Sequence, residues 1–140
     1  QLAELGFGNL TALDYSPAML KTAAEKRHKG SPVYRELIEA DLNQPLEISD
    51  NSYDAIICTG TFTHAHVGAN CLDELFRIMK PGGLFACTVH KDIWDKSGFS
   101  EKTFGMETRS ILVTKSCELD IYFETDEEPQ GWYLIWEKVS

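Results

Sequence analysis

The chain has 140 residues, 43% hydrophobic and 25% charged, the composition of one ordinary globular domain; at this length a core forms without disulfides or a metal. A formal charge of −9, from 22 acidic and 13 basic residues, repels phosphate backbones, and no Lys/Arg stripe interleaved with aromatics offsets it, so nucleic acid is not an expected partner. No apolar run approaches the roughly 20 residues that span a bilayer and no basic-then-apolar leader opens the chain, so a cytoplasmic protein with no membrane partner is expected.

Residues 1–5 read as the tail of a helix, stopped by Gly6-Phe7-Gly8-Asn9 because glycine takes the left-handed cap conformation cheaply. Residues 10–13 form a short apolar run ending in Asp14, the pattern of a buried parallel strand. Ser16 then suits an N-cap and Pro17 the first helical position, and the helix that follows is expected to end near Gly30. Residues 33–40 predict a second strand closing on Asp41. Tyr53-Asp54-Ala55-Ile56-Ile57-Cys58 predicts a third, followed by a loop over 59–67. From Asn70, Leu72, Leu75, Phe76 and Met79 recur at helical spacing until Pro81-Gly82-Gly83. Leu84-Phe85-Ala86-Cys87-Thr88-Val89 predicts a fourth strand, ending at His90.

Residues 99–115 are weakly helical, 119–125 read as a strand, and 126–131 form an acidic turn before a second strand over 132–139. Strands joined by a tight turn pair antiparallel. Strands alternating with helices predict an α/β fold: a mainly parallel sheet with helices on both faces, finished by an antiparallel hairpin, in a single domain over 1–140. Cys58, Cys71, Cys87 and Cys117 show no metal-ligand spacing, and no metal is expected.

Ligands of open parallel sheets bind beyond the carboxyl ends of the strands, so Asp14, Asp41, Thr59, Gly60 and His90 are expected to share one edge. Asp14 suits a ribose diol, its carboxylate accepting two hydrogen bonds, although acids are also common just before a helix cap. Asp41 suits an exocyclic amine or, equally, a surface turn. His64, His66 and His90 fall near the same edge as candidate bases, beside the plainer reading of exposed histidines without a role. Phe62 and Trp94 are candidates for shaping an acceptor pocket and equally candidates for the core.

Four segments in order resemble class I S-adenosylmethionine-dependent methyltransferases, the Rossmann-like class, and most closely the Williams–Beuren region type. They are Leu13-Asp14-Tyr15-Ser16-Pro17-Ala18-Met19-Leu20, Ala40-Asp41-Leu42, Tyr53-Asp54-Ala55-Ile56-Ile57 and Arg77-Ile78-Met79-Lys80-Pro81-Gly82-Gly83-Leu84. The resemblance implies an S-adenosylmethionine cofactor. It places Asp14 on its ribose, Tyr15 and Met19 along the adenosine, Asp41 on the adenine amine and Leu42 against the ring. Thr59 and Gly60 would then give backbone contacts to the methionine part. It also implies a small-molecule or protein acceptor.

One departure stands out. The class carries a glycine-rich turn after its first strand, and Gly6-Phe7-Gly8 follows a helix and precedes a strand, the reverse order. The first strand and that turn are therefore expected upstream of residue 1. Two other readings stay open: a catalytically silent, truncated binding module of the same fold, and an NAD-dependent oxidoreductase. The second lacks a Tyr-x-x-x-Lys pair.

Overall fold

The computed structural model describes residues 1–63 and 67–140. The chain divides into two compact units, Gln1–Leu46 and Glu47–Ser140.

In the first unit, residues 1–7 make a single helical turn, with the Leu5 N–H donating to the Gln1 carbonyl at 3.0 Å. Strand β1 (Thr11–Asp14) follows, then helix α1 (Pro17–Ala24). Ser16 caps α1 as its sequence position predicts: its Oγ accepts from the Met19 N–H, and Pro17 opens the helix. The helix is shorter than expected. Its place up to Gly30 is taken by a small antiparallel ribbon of β2 (Arg27–His28) and β3 (Ser31–Pro32). Lys29 and Gly30 both have positive φ, 49° and 82°, the geometry of a two-residue hairpin turn, so this glycine reverses the chain rather than capping a helix. Strand β4 (Glu36–Glu39) then pairs with β1 in parallel, Asp14 opposite Glu39.

The second unit is built on a four-stranded sheet in the order β5-β6-β8-β7. Strands β5 (Tyr53–Phe62) and β6 (Met79–His90) are parallel; β8 (Gly131–Lys138) runs antiparallel to β6, and β7 (Leu112–Asp120) antiparallel to β8. Helix α2 (Cys71–Ile78) links β5 to β6, and α3 (Lys91–Trp94) and α4 (Phe99–Thr108) link β6 to β7. The α/β architecture with a parallel core and an antiparallel end is thus the expected one. The boundaries moved at the end: β7 begins at Leu112, inside the stretch expected to be helical, and only Leu119 and Asp120 of the expected strand over 119–125 belong to it. The start of β7 is set by its pairing with β8, Leu112 opposite Lys138 and Val113 opposite Glu137, which local sequence does not carry.

The core lies on one face of this sheet. Phe76 of α2 packs against Phe85 and Trp136, with ring centroids at 5.9 and 6.4 Å, and Phe62 packs against Phe99 of α4 at 5.0 Å. On the other face Ile57, Leu84 and Ile135 are 55%, 44% and 39% exposed. The crossover from α2 into β6 requires Gly83, where a Cβ would stand 2.9 Å from the Asp54 carbonyl oxygen. The Asn51 and Ser52 N–H groups donate to the Arg77 and Ile78 carbonyls at the end of α2. Among the described residues no helix is long and apolar enough to cross a membrane.

Candidate functional site

In the first unit, Asp14 and Asp41 stand at the carboxyl ends of the neighbouring strands β1 and β4. The ladder runs on between them, with the Ala40 N–H donating to the Asp14 carbonyl at 3.1 Å. One oxygen of each carboxylate shapes its own turn. Asp14 Oδ1 accepts from the Ser16 N–H at 2.8 Å, and Asp41 Oδ1 accepts from the backbone and side-chain nitrogens of Asn43 at 2.8 and 2.9 Å. Both the capping role and a ligand role are therefore compatible, because the second oxygen of each has no protein hydrogen bond among the described residues. Beside Asp14, Tyr15 and Met19 are 74% and 58% exposed, which removes the core reading for Met19. Leu42 is half-buried. An acid with an open oxygen, flanked by exposed apolar side chains, fits a nucleoside: the diol to the carboxylate, the base to the apolar surface.

In the second unit, Thr59 and Gly60 lie within β5 rather than in a loop, at a register irregularity between Cys58 and Phe62. Gly60 has φ 73°, and its N–H donates to Thr88 Oγ1 of β6 at 3.3 Å. A ligand contact at Gly60 thus falls to its carbonyl or to the neighbouring backbone.

His90 ends β6 as expected and caps α3, its Nδ1 accepting from the Asp92 N–H at 3.2 Å with Asp92 Oδ2 at 3.8 Å. With Nδ1 accepting, the neutral ring carries its proton on Nε2. Acting as a base through Nε2 requires the other tautomer, whose Nδ1–H gives up the Asp92 N–H and faces the Asp92 carboxylate instead. His64 and His66 lie outside the described residues. Phe62 is buried in the core, and Trp94 stacks at 5.6 Å on Trp132. Tyr122, which sequence reasoning did not place in a site, lies against His90, Tyr133 and Gly131.

Comparison with known proteins decides the family. Residues 1–87 match the model of the methyltransferase domain. This chain belongs to that family. The demethylmenaquinone methyltransferase of Listeria welshimeri is 34% identical over 80 residues, 57% of this chain and 34% of that protein. Human methyltransferase-like protein 27 is 33% identical over 90 residues, 64% of this chain and 34% of its own length. The match to these curated relatives spans about a third of their length.

Among solved structures, an S-adenosylmethionine-dependent methyltransferase from Mesorhizobium loti superposes with a TM-score of 0.69 at 16% identity, covering 97% of this chain and 83% of that one. A methyltransferase of Haloferax volcanii, solved in complex with a methyltransferase activator, gives 0.67 at 20% identity over 99% and 76%. These likenesses establish the fold. The cofactor indicated by the family and fold is S-adenosylmethionine, and an oxidoreductase is not favoured.

Proposed function

We propose that this domain takes part in S-adenosylmethionine-dependent methyl transfer, with its first unit binding the adenosine part of the cofactor. The carrying observation is the pair of carboxylates at the ends of β1 and β4, each with one oxygen committed to its turn and one open. When bound, S-adenosylmethionine supplies a methyl group already activated on a sulfonium. The residues of this chain then have a positioning task. Asp14 orients the ribose, Asp41 receives the adenine amine, Tyr15, Met19 and Leu42 exclude water from the base, and the backbone at Thr59 and Gly60 meets the methionine part. Within class I, the overall resemblance of the chain supports placement with the Williams–Beuren region type. In the class this chain resembles, a glycine-rich turn also meets the methionine part; these 140 residues do not contain it, and the adenosine contacts are expected to hold the cofactor without it.

Calorimetric titration with S-adenosylhomocysteine tests the reading. Binding is expected for the chain as it stands, and Asp14→Ala should weaken it by roughly ten- to a hundredfold, the equivalent of about 1.5–3 kcal/mol for hydrogen bonds to a charged group. A folded chain that shows no heat, or an Asp14→Ala variant of unchanged affinity, overturns the assignment. A silent binding module of the same fold is the second reading, favoured by the absence of that turn from these residues: it binds S-adenosylhomocysteine yet transfers no methyl group to any acceptor.

A further inference from the structure

The second unit holds an aromatic cluster that the cofactor reading does not use. His90 and Gly131 are direct partners across β6 and β8, and Thr88 and Tyr133 are the next pair on the same face. Because Gly131 has no side chain, the ring of Tyr122 occupies its place. A Cβ on Gly131 would overlap the Tyr122 ring and its Oη. The Tyr122 ring lies 6.0 Å from both the His90 and the Tyr133 rings, centroid to centroid.

The loop carrying Tyr122 is held in this position from several directions. Asp126 Oδ2 accepts from the backbone N–H groups of Tyr122 and Phe123 at 3.0 and 2.9 Å, and Tyr133 Oη donates to the Ile121 carbonyl at 2.9 Å. The Lys91 N–H donates to the Gln130 carbonyl at 2.9 Å, which ties the loop to the start of α3. The Tyr133 hydroxyl is thus engaged, whereas the Tyr122 hydroxyl has no protein partner among the described residues. It is not a buried orphan either, since no buried side-chain polar atom among them lacks a partner. Burial, then the neighbouring Tyr133, push the Tyr122 phenol above its ordinary range, so it remains a protonated donor at neutral pH.

The cluster is linked to Gly60 through Thr88: the Tyr122 ring touches that of Tyr133, Tyr133 lies opposite Thr88, and Thr88 Oγ1 accepts from the Gly60 N–H. We propose that Tyr122 is an acceptor-positioning residue, its hydroxyl donating to the oxygen of a neutral hydroxyaromatic methyl acceptor whose ring lies against Tyr122, Tyr133 and His90. Rings favour offset and edge contacts with other rings, and an unpartnered donor at their border selects an oxygen. The acidic loop residues Glu124, Asp126, Glu127 and Glu128 disfavour an anionic ligand.

The inference rests on the methyltransferase reading and is separable from it by experiment. Phenol and toluene share a ring and differ by hydroxyl against methyl, so their affinities, measured by ligand-observed NMR on the intact chain, isolate the hydrogen bond. Wild type should prefer phenol by about tenfold, the worth of one good hydrogen bond, and Tyr122→Phe should bring the ratio near one. Gly131→Ala should do the same by displacing the Tyr122 ring while keeping its hydroxyl, and Phe104→Ala, an exposed change on α4, should leave the ratio intact. Wild type without a preference for phenol, or a preference that survives Tyr122→Phe, overturns the inference. S-adenosylhomocysteine affinity should be equal in all four proteins; its absence in wild type would overturn the methyltransferase reading instead.

Discussion

Burial controls the thiols. It pushes Cys71 up to about 12, and Cys58 and Cys87 above their ordinary value as well, each with the neighbouring thiols as lesser contributors or, for Cys58, partly offset by a hydrogen bond with Thr61. Cys58 and Cys87 are register partners on adjacent strands and still stay reduced. A thiolate is the reactive form and access limits it, so these three should resist an aromatic disulfide reagent at pH 8. Cys117, its thiol also pushed up by partial desolvation and by Glu107, reacts because it is exposed. One fast equivalent per chain, rising to four in denaturant, is the expected titration. Lys138 is one of two buried polar side chains among the described residues. Its buried ammonium donates to the Met79 carbonyl at 2.8 Å and to Asn51 Oδ1 at 3.0 Å. Lys138→Met keeps the stem and strips both acceptors of their donor, which should cost about 1–3 kcal/mol in urea unfolding.

At the scale of elements, Arg77 binds the end of α2 to the segment before β5. Its guanidinium grips Glu74 through Nε and Nη2, both at 2.9 Å, and reaches Asp50 at 2.6 Å and the Ile48 carbonyl at 2.7 Å. Arg77→Ala should lower the melting temperature, and Arg77→Lys should recover only part, because an ammonium cannot reproduce the fork. Lys80 pulls the Asp54 carboxyl below its ordinary value of 3.8 by a hydrogen bond and by its charge. A depressed folded-state value means that this stabilisation is present above the unfolded value and is lost as pH falls through the folded one. Asp54→Asn should therefore flatten the acid limb of the stability profile below pH 3.8.

Elements with strong local chemistry were legible in the sequence. Ser16-Pro17 marked α1, the apolar run at 53–58 marked β5, and the aromatic alternation at 132–136 marked β8. The positions of Asp14 and Asp41 followed from the strands expected over 10–13 and 33–40. What escaped was decided by contacts remote in sequence. The start of β7 depends on pairing with β8, and Tyr122 enters the His90 cluster because a glycine 9 positions later leaves room for its ring.

For the molecule as a whole, the core is unevenly shared. Among the described residues, only Leu20 and Leu46 of the buried apolar side chains lie in Gln1–Leu46; all the others belong to Glu47–Ser140. Amide hydrogens of β1 and β4 should exchange faster than those of β6 and β8, because local opening there exposes little apolar surface. Equal protection across the two units would contradict this.

The uncovered face of the four-stranded sheet also sets the colloidal behaviour of the chain. Ile57, Leu84 and Ile135 present apolar surface to water, and what opposes contact between molecules is mutual repulsion from a charge of −9. Repulsion has a range set by salt, about 30 Å at 0.01 M and about 3 Å at 1 M, whereas apolar attraction does not weaken with it. Scattering should therefore report particles that stay apart in dilute buffer and cluster as sodium chloride is added, the reverse of an association held together by ion pairs.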